Sequence, residues 1–87
     1  MEVLFTDRVN LDLLYFKKIN NQIILKKIRQ LLDVIIVKPS FGIGKPEALK
    51  HQMFGLWSRR IDKEHRLVYE IDEELNIIIV HSLRGHY

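Results

Sequence analysis

Two clusters of residues in this chain have the types and spacing that phosphodiester chemistry needs. One closes the sequence: Arg84-Gly85-His86-Tyr87 puts an imidazole and a phenol where chains usually fray and carry little. The other lies upstream, in Gly44-Lys45-Pro46-Glu47, Lys50-His51, Ser58-Arg59-Arg60-Ile61 and Glu64-His65-Arg66-Leu67-Val68-Tyr69. RNA carries its own nucleophile, the 2′-hydroxyl. Metal-free cleavage therefore needs a base for that proton, positive charge on the phosphorane, and an acid for the leaving 5′-oxygen. Acid and base each contribute about 10²–10⁴-fold, and cationic donors aimed at developing charge are often the largest single contribution. Glu47 is the candidate base, Arg66 the candidate phosphate clamp and His86 the candidate acid. Arginine suits the clamp because its planar fork can bond two phosphate oxygens at once. Tyr87 can stack on a base or donate its hydroxyl to the phosphate. Lys45, Lys50, Arg59 and Arg60 would track the backbone, with Arg84 a further cation beside the tail.

The same residues also have plainer uses. A glutamate after proline suits a helix start; Arg59-Arg60 suits a solvated strand face; His51, His65 and His81 suit surface or packing roles. The four histidines show no tight His-x-x-x-His spacing, so no metal site is expected. Gly42-Ile43-Gly44-Lys45-Pro46 lacks the hydroxyl residue after lysine that a nucleotide phosphate loop requires, and its proline removes an amide donor. No cofactor is expected.

The elements that must carry these groups are legible in the hydrophobic pattern. Val3-Leu4-Phe5 before Thr6-Asp7 reads as a strand running into a helix cap. Leu11, Leu14, Tyr15 and Ile19 recur at helical spacing and predict the buried stripe of a first helix, with Lys17 and Lys18 outside. Asn20-Asn21 breaks it, and Ile24, Ile28, Leu31, Leu32 and Ile35 predict a second helix. Pro39 disfavours helical geometry at Lys38, so that helix should end just before it. Residues 39–53 form a loop, with room for a helical turn over 47–53. Strand periodicity then governs residues 56–61, 66–71 and 77–83, separated by the polar turns Asp62-Lys63-Glu64 and Asp72-Glu73-Glu74. Alternation sends Leu67, Tyr69 and Ile71 toward the helices and Arg66 to the other side; the Trp57 face of the preceding strand also turns inward. The expected fold is α+β in the order β-α-α-β-β-β: two helices on one face of a four-stranded antiparallel sheet, whose open face is basic and concave. Gly85-His86-Tyr87 lie beyond the last strand, so their deletion is expected to leave the fold largely intact.

Composition narrows the function classes. Eighty-seven residues make one domain, 1–87, with 47% hydrophobic and 29% charged residues, the balance of a globular chain. With no cysteine, neither a disulfide nor a thiolate–metal framework is available, and a reducing cytoplasm is the expected location. Residues 31–37 are too short an apolar run to span a bilayer and are interrupted by Asp33, so no membrane partner is expected. Net charge is +3, distributed as +2 over residues 1–37, +4 over 38–66 and −3 over 67–87. The basic middle third holds the upstream cluster and fits a polyanion partner.

The order of these motifs is more informative than any one of them. The run from Gly44 to Tyr69, GKPEALKHQMFGLWSRRIDKEHRLVY, followed by a terminal His-Tyr, resembles the YoeB-type toxins of the RelE/ParE superfamily. The resemblance implies a RelE-like fold akin to small microbial ribonucleases. It implies an mRNA interferase that cuts mRNA in the ribosomal A site without a metal. By position it puts the general base on Glu47, the phosphate-binding arginine on Arg66, the general acid on His86 and the terminal tyrosine on Tyr87. Basic substrate contacts fall on Lys50, Arg59 and Arg60, with His51 beside them. Gly85 departs from the pattern, since relatives often carry an aromatic residue there. The implied partners are mRNA, the ribosome, a cognate antitoxin of the YefM/Phd type and, compatibly, a second copy of the chain. Two alternatives remain: a toxin of the same fold that inhibits DNA gyrase by contact, and an RNA-binding accessory domain that cuts nothing.

Overall fold

The computed structural model describes residues 1–49 and 55–85. The chain runs β1 (Glu2–Phe5), α1 (Asp7–Lys18), α2 (Gln22–Val37), β2 (Glu47–Ala48), β3 (Leu56–Arg60), β4 (Arg66–Asp72) and β5 (Ile77–Ser82). Thr6 caps α1 by accepting from the Val9 amide through Oγ1 (3.3 Å), and Asn21 caps α2 by accepting from the Ile24 amide (3.1 Å). Lys38 ends α2, where Pro39 requires it to end. Among the described residues, no helix is long and apolar enough to cross a membrane.

The α+β class and the strand face assignments agree with the hydrophobic pattern, while the sheet differs in two respects. It has five strands, in the order β1-β5-β4-β3-β2, because Glu47 and Ala48 pair with β3 where a helical turn was expected. It is mixed, because β1 lies parallel to β5, and the other pairings are antiparallel. Leu67 and Tyr69 of β4, Ile78 and Val80 of β5 and Ile24, Ile28, Leu31 and Ile35 of α2 form one buried cluster, with Trp57 and Ile71 packed against it.

The first helix is rotated from its expected setting. Val9, Asp12 and Phe16 are its buried residues, whereas Leu11 and Leu14 are 66% and 60% exposed. Asp12 is the reason. Its carboxylate is almost fully buried, and its Oδ2 accepts from the amides of Leu83 (2.9 Å) and Arg84 (3.2 Å), just beyond β5. A carboxylate that satisfies two orphan amides is stabilising when buried, so the helix turns an acid inward and leaves leucines outside.

A second buried charge holds the loop between α2 and β2. Arg59, expected among the RNA contacts, has no exposed surface, which corrects that assignment. Its Nε donates to Tyr69 Oη (3.1 Å), its Nη1 to the Ile43 carbonyl (2.9 Å), and its Nη2 to the carbonyls of Lys38 and Phe41. Tyr69 Oη in turn donates to the Pro39 carbonyl. The loop packs so closely that a Cβ on Gly44, at φ +83°, would lie 2.7 Å from Leu31 Cδ2. Its glycines therefore serve packing on α2 and not a phosphate cradle.

Asp12→Ala should lower unfolding free energy by about 1–3 kcal/mol in denaturant titrations, because two amides lose their acceptor. Leu11→Ala should stay within about 0.5 kcal/mol of wild type. The opposite order would restore the expected helix face. Burial raises the Tyr69 phenol above its ordinary 10.0, opposed by the hydrogen bond and charge of Arg59. The unfolded chain therefore releases this proton first as pH rises. The contribution of Tyr69 is complete below pH 10 and is lost through the folded-state value above it. Tyr69→Phe should remove that part of the alkaline loss, read from melts on either side of pH 10.

Candidate active site

Sheet register gathers the charged groups. Glu47 pairs with Ser58, Ser58 with Val68, and Arg60 with Arg66. Directly paired residues point to the same side of a sheet, so Glu47, Ser58, Arg60 and Arg66 share the face away from the helices. Arg66 Nη2 lies 3.5 Å from Glu47 Oε2, and Arg66 Nε donates to Ser58 Oγ at 3.0 Å. The guanidinium side chain is only 14% exposed and the carboxylate 65%, so a fixed cation stands beside an accessible acid. Arg60 is exposed across the strand pair. Like charges directly opposite each other destabilise a sheet, so Arg60 and Arg66 make this part of the face basic.

The loop before β2 fixes the carboxylate's side of this arrangement. Gly44 accepts from the Arg60 amide (2.7 Å), and Leu49 donates its amide to the Leu56 carbonyl (2.9 Å), so both ends of β2 are stitched to β3. Lys45 is exposed, at φ +50°, immediately before Pro46 and Glu47.

The chain after β5 is held on the same corner of the molecule. Asp12 takes the amides of Leu83 and Arg84, Arg8 Nη2 donates to the Arg84 carbonyl (3.1 Å), and the Arg84 guanidinium stacks 3.5 Å from the centre of the Tyr15 ring. Gly85 donates its amide to His65 Nδ1 (2.8 Å) and accepts from the Arg66 amide (3.3 Å). The segment through Gly85 thus has backbone partners in α1 and at the start of β4.

Of the residues singled out from sequence, Glu47, Arg60 and Arg66 come together, Lys45 flanks them, Arg84 is engaged with α1, and Arg59 is buried. Lys50, His51, His86 and Tyr87 lie outside the described residues. Sequence reasoning missed three residues that hold the others. Ser58 supports Arg66, Asp12 holds residues 83 and 84, and His65 holds residue 85. Strand alternation put Ser58 on the Arg66 face and could have found it. Nothing local in the sequence marks Asp12 or His65 for contacts with residues about 70 and 20 positions away, respectively.

A second, separate pair on the open face joins His81 Nε2 to Glu70 Oε1 at 3.0 Å. A register shift between β4 and β5 beside Val68 and Tyr69 accompanies it.

Comparison with known proteins gives this geometry a context. The family model described as YoeB-like toxin of bacterial type II toxin-antitoxin system matches residues 5–87. Toxin YoeB of Synechocystis sp. is 48% identical over 88 residues, covering 100% of this chain and 98% of its own. The solved YoeB/ParE toxin from Agrobacterium tumefaciens superposes with a TM-score of 0.94 at 34% identity, with both chains covered completely. A chain of the heterotetrameric YoeB-YefM toxin-antitoxin complex from Staphylococcus aureus superposes with a TM-score of 0.87 at 41% identity, covering 100% of this chain and 98% of the other.

Proposed function

The chain belongs to the YoeB-like toxins of bacterial type II toxin–antitoxin systems, and from that premise we propose that it is a ribosome-dependent endoribonuclease that cuts mRNA. The observation that carries this reading is the Glu47 carboxylate 3.5 Å from the Arg66 guanidinium, on an open sheet face that also carries Arg60.

A scissile phosphate seated against Arg66 brings the adjacent 2′-hydroxyl to the Glu47 carboxylate. Glu47 takes the hydroxyl proton as the 2′-oxygen attacks phosphorus. Arg66 meets the charge that accumulates on the non-bridging oxygens; held at Nε by Ser58, it needs little reorganisation to do so. His86 donates a proton to the departing 5′-oxygen. The products are a 2′,3′-cyclic phosphate and a 5′-hydroxyl, with one proton gained by Glu47 and one lost by His86. Tyr87 stacks on a neighbouring base, and Lys45, Lys50, His51, Arg60 and Arg84 engage RNA or ribosome. The nucleophile belongs to the substrate and the other parts are side chains, so no metal enters the scheme.

An exposed carboxylate is a weak base, and the open face offers few groups that could read a base. Rate must then come from a substrate already held in the attacking geometry. The ribosomal A site supplies that constraint, in the cytoplasm where translation runs. The partner that silences the toxin is an antitoxin of the YefM kind, as assembled with the S. aureus relative, an acidic or apolar segment covering the basic face.

Expression of wild type should arrest growth and yield mRNA cut within ribosome-bound codons, with 5′-hydroxyl ends. Glu47→Ala should lower the single-turnover cleavage rate by about 10²–10⁴-fold and Arg66→Ala by about 10²–10³-fold; truncation after Gly85 should abolish cutting with the melt preserved. Equal arrest by the Glu47→Ala/His86→Ala double variant would remove the catalytic assignment. Gyrase-linked DNA breaks in place of cut mRNA would replace it with inhibition by contact.

A further inference from the structure

We propose that His65 is a positioning residue for the reaction: its imidazole, accepting the Gly85 amide at Nδ1, fixes the backbone from which the chain continues to residue 86, the residue read as the acid. The proposal rests on the ribonuclease reading above and adds to it a residue that touches no substrate.

His65 is unusually well fixed for a residue at the end of a turn. Its amide donates to Asp62 Oδ1 (2.8 Å), and its carbonyl accepts from the amides of Ile61 (2.9 Å) and Asp62 (3.2 Å). Its ring meets Phe16 edge to face, with centroids 5.1 Å apart, and the Phe16 side chain is fully buried in α1. The imidazole is only 13% exposed, so its orientation is set by packing. With both backbone and ring locked, Nδ1 points at a defined place, and the Gly85 amide occupies it at 2.8 Å.

That contact uses Nδ1 as an acceptor, a role it has only in the tautomer that carries its hydrogen on Nε2; Nε2 lies 3.8 Å from Glu64 Oε2. A doubly protonated ring has no acceptor to offer Gly85. The neighbouring residue completes the grip, since the Arg66 amide donates to the Gly85 carbonyl. Residue 85 is thus held by the side chain of one residue and the backbone of the next, at φ +86°, a conformation that glycine adopts without strain. The peptide bond after Gly85 leads directly into the residue read as the acid. The anchors before it, at residues 83 and 84, hold the chain to α1. His65 is the side chain that registers the end of the chain against Arg66 itself.

The test compares His65→Leu, which fills the space without an acceptor, with His65→Asn, whose Oδ1 lies near the place of Nδ1. Single-turnover cleavage of ribosome-bound mRNA at saturating toxin should fall about 10²-fold in His65→Leu, the scale expected when a catalytic group is misplaced by about 1 Å. Apparent affinity for the ribosome should stay within about twofold, and His65→Asn should recover at least about tenfold of the lost rate. Hydrogen exchange at the Gly85 amide, read by NMR, should be slowed in wild type and His65→Asn and fast in His65→Leu. A semisynthetic chain with an ester in place of the Gly85 amide removes the donor while keeping His65, and should match His65→Leu. Wild-type rates in either the leucine variant or the ester would overturn the proposal, as would unchanged Gly85 protection in His65→Leu. Absence of any cut product from wild type would instead sink the ribonuclease reading, and the exchange measurement would still decide the contact.

Discussion

A guanidinium buried without exposed surface is costly unless every donor finds an acceptor. Arg59 gives each of its three nitrogens an acceptor, collecting the carbonyls of Lys38, Phe41 and Ile43 and the hydroxyl of Tyr69. The rest of the molecule depends on this because these acceptors come from one loop and one neighbouring strand. The loop cannot leave without stranding a charge, and Tyr69 cannot turn away without also abandoning Pro39. The chain beyond this loop inherits a fixed starting point: Gly44 is bonded to Arg60, Lys45 adopts a left-handed backbone, and two residues later Glu47 enters the sheet. A charge removed from solvent thus determines where an exposed carboxylate stands.

On the opposite face the logic is reversed. Arg60 and Arg66 oppose each other across β3 and β4, with Glu47 beside Arg66. The helices cover only the other face, so Arg60 stays exposed while Arg66 lies half-buried. Arg66 is the less exposed of the pair, steadied by a serine hydroxyl, while Glu47 is the more exposed.

Much of this was legible in the sequence, for identifiable reasons. Period-two alternation in β4 separated Leu67 and Tyr69 from Arg66, and the stripe of α2 with Pro39 behind it fixed that helix and its end. Both signals come from neighbours in the chain. The failures all involve distant partners. Leu11 and Leu14 looked like core because nothing in α1 discloses that Asp12 meets the amides of residues 83 and 84. Arg59 looked like a surface cation because Arg60 beside it is one; alternation placed them on opposite faces, but the carbonyls awaiting Arg59 belong to a loop more than fifteen residues earlier. Glu47 and Ala48 looked helical because two residues are too few to show a period, and their strand state comes from β3. At the site, residue types and the face of Ser58 were legible, and the supports from His65 and Asp12 were not, because these two act through contacts with residues remote in sequence.

The supports converge on one residue. Arg66 reaches Glu47 and Ser58 with its side chain and Gly85 with its backbone amide. Glu47 is carried by β2 and Gly85 follows β5, and Arg66, the first residue of β4, touches both. The sequence neighbour His65 extends the same device by one residue, using the rigid ring packing on Phe16 as its reference. A small sheet with one bare face can in this way hold Glu47 and Gly85 about one arginine, although one sits on a two-residue edge strand and the other lies beyond the last strand of the fold.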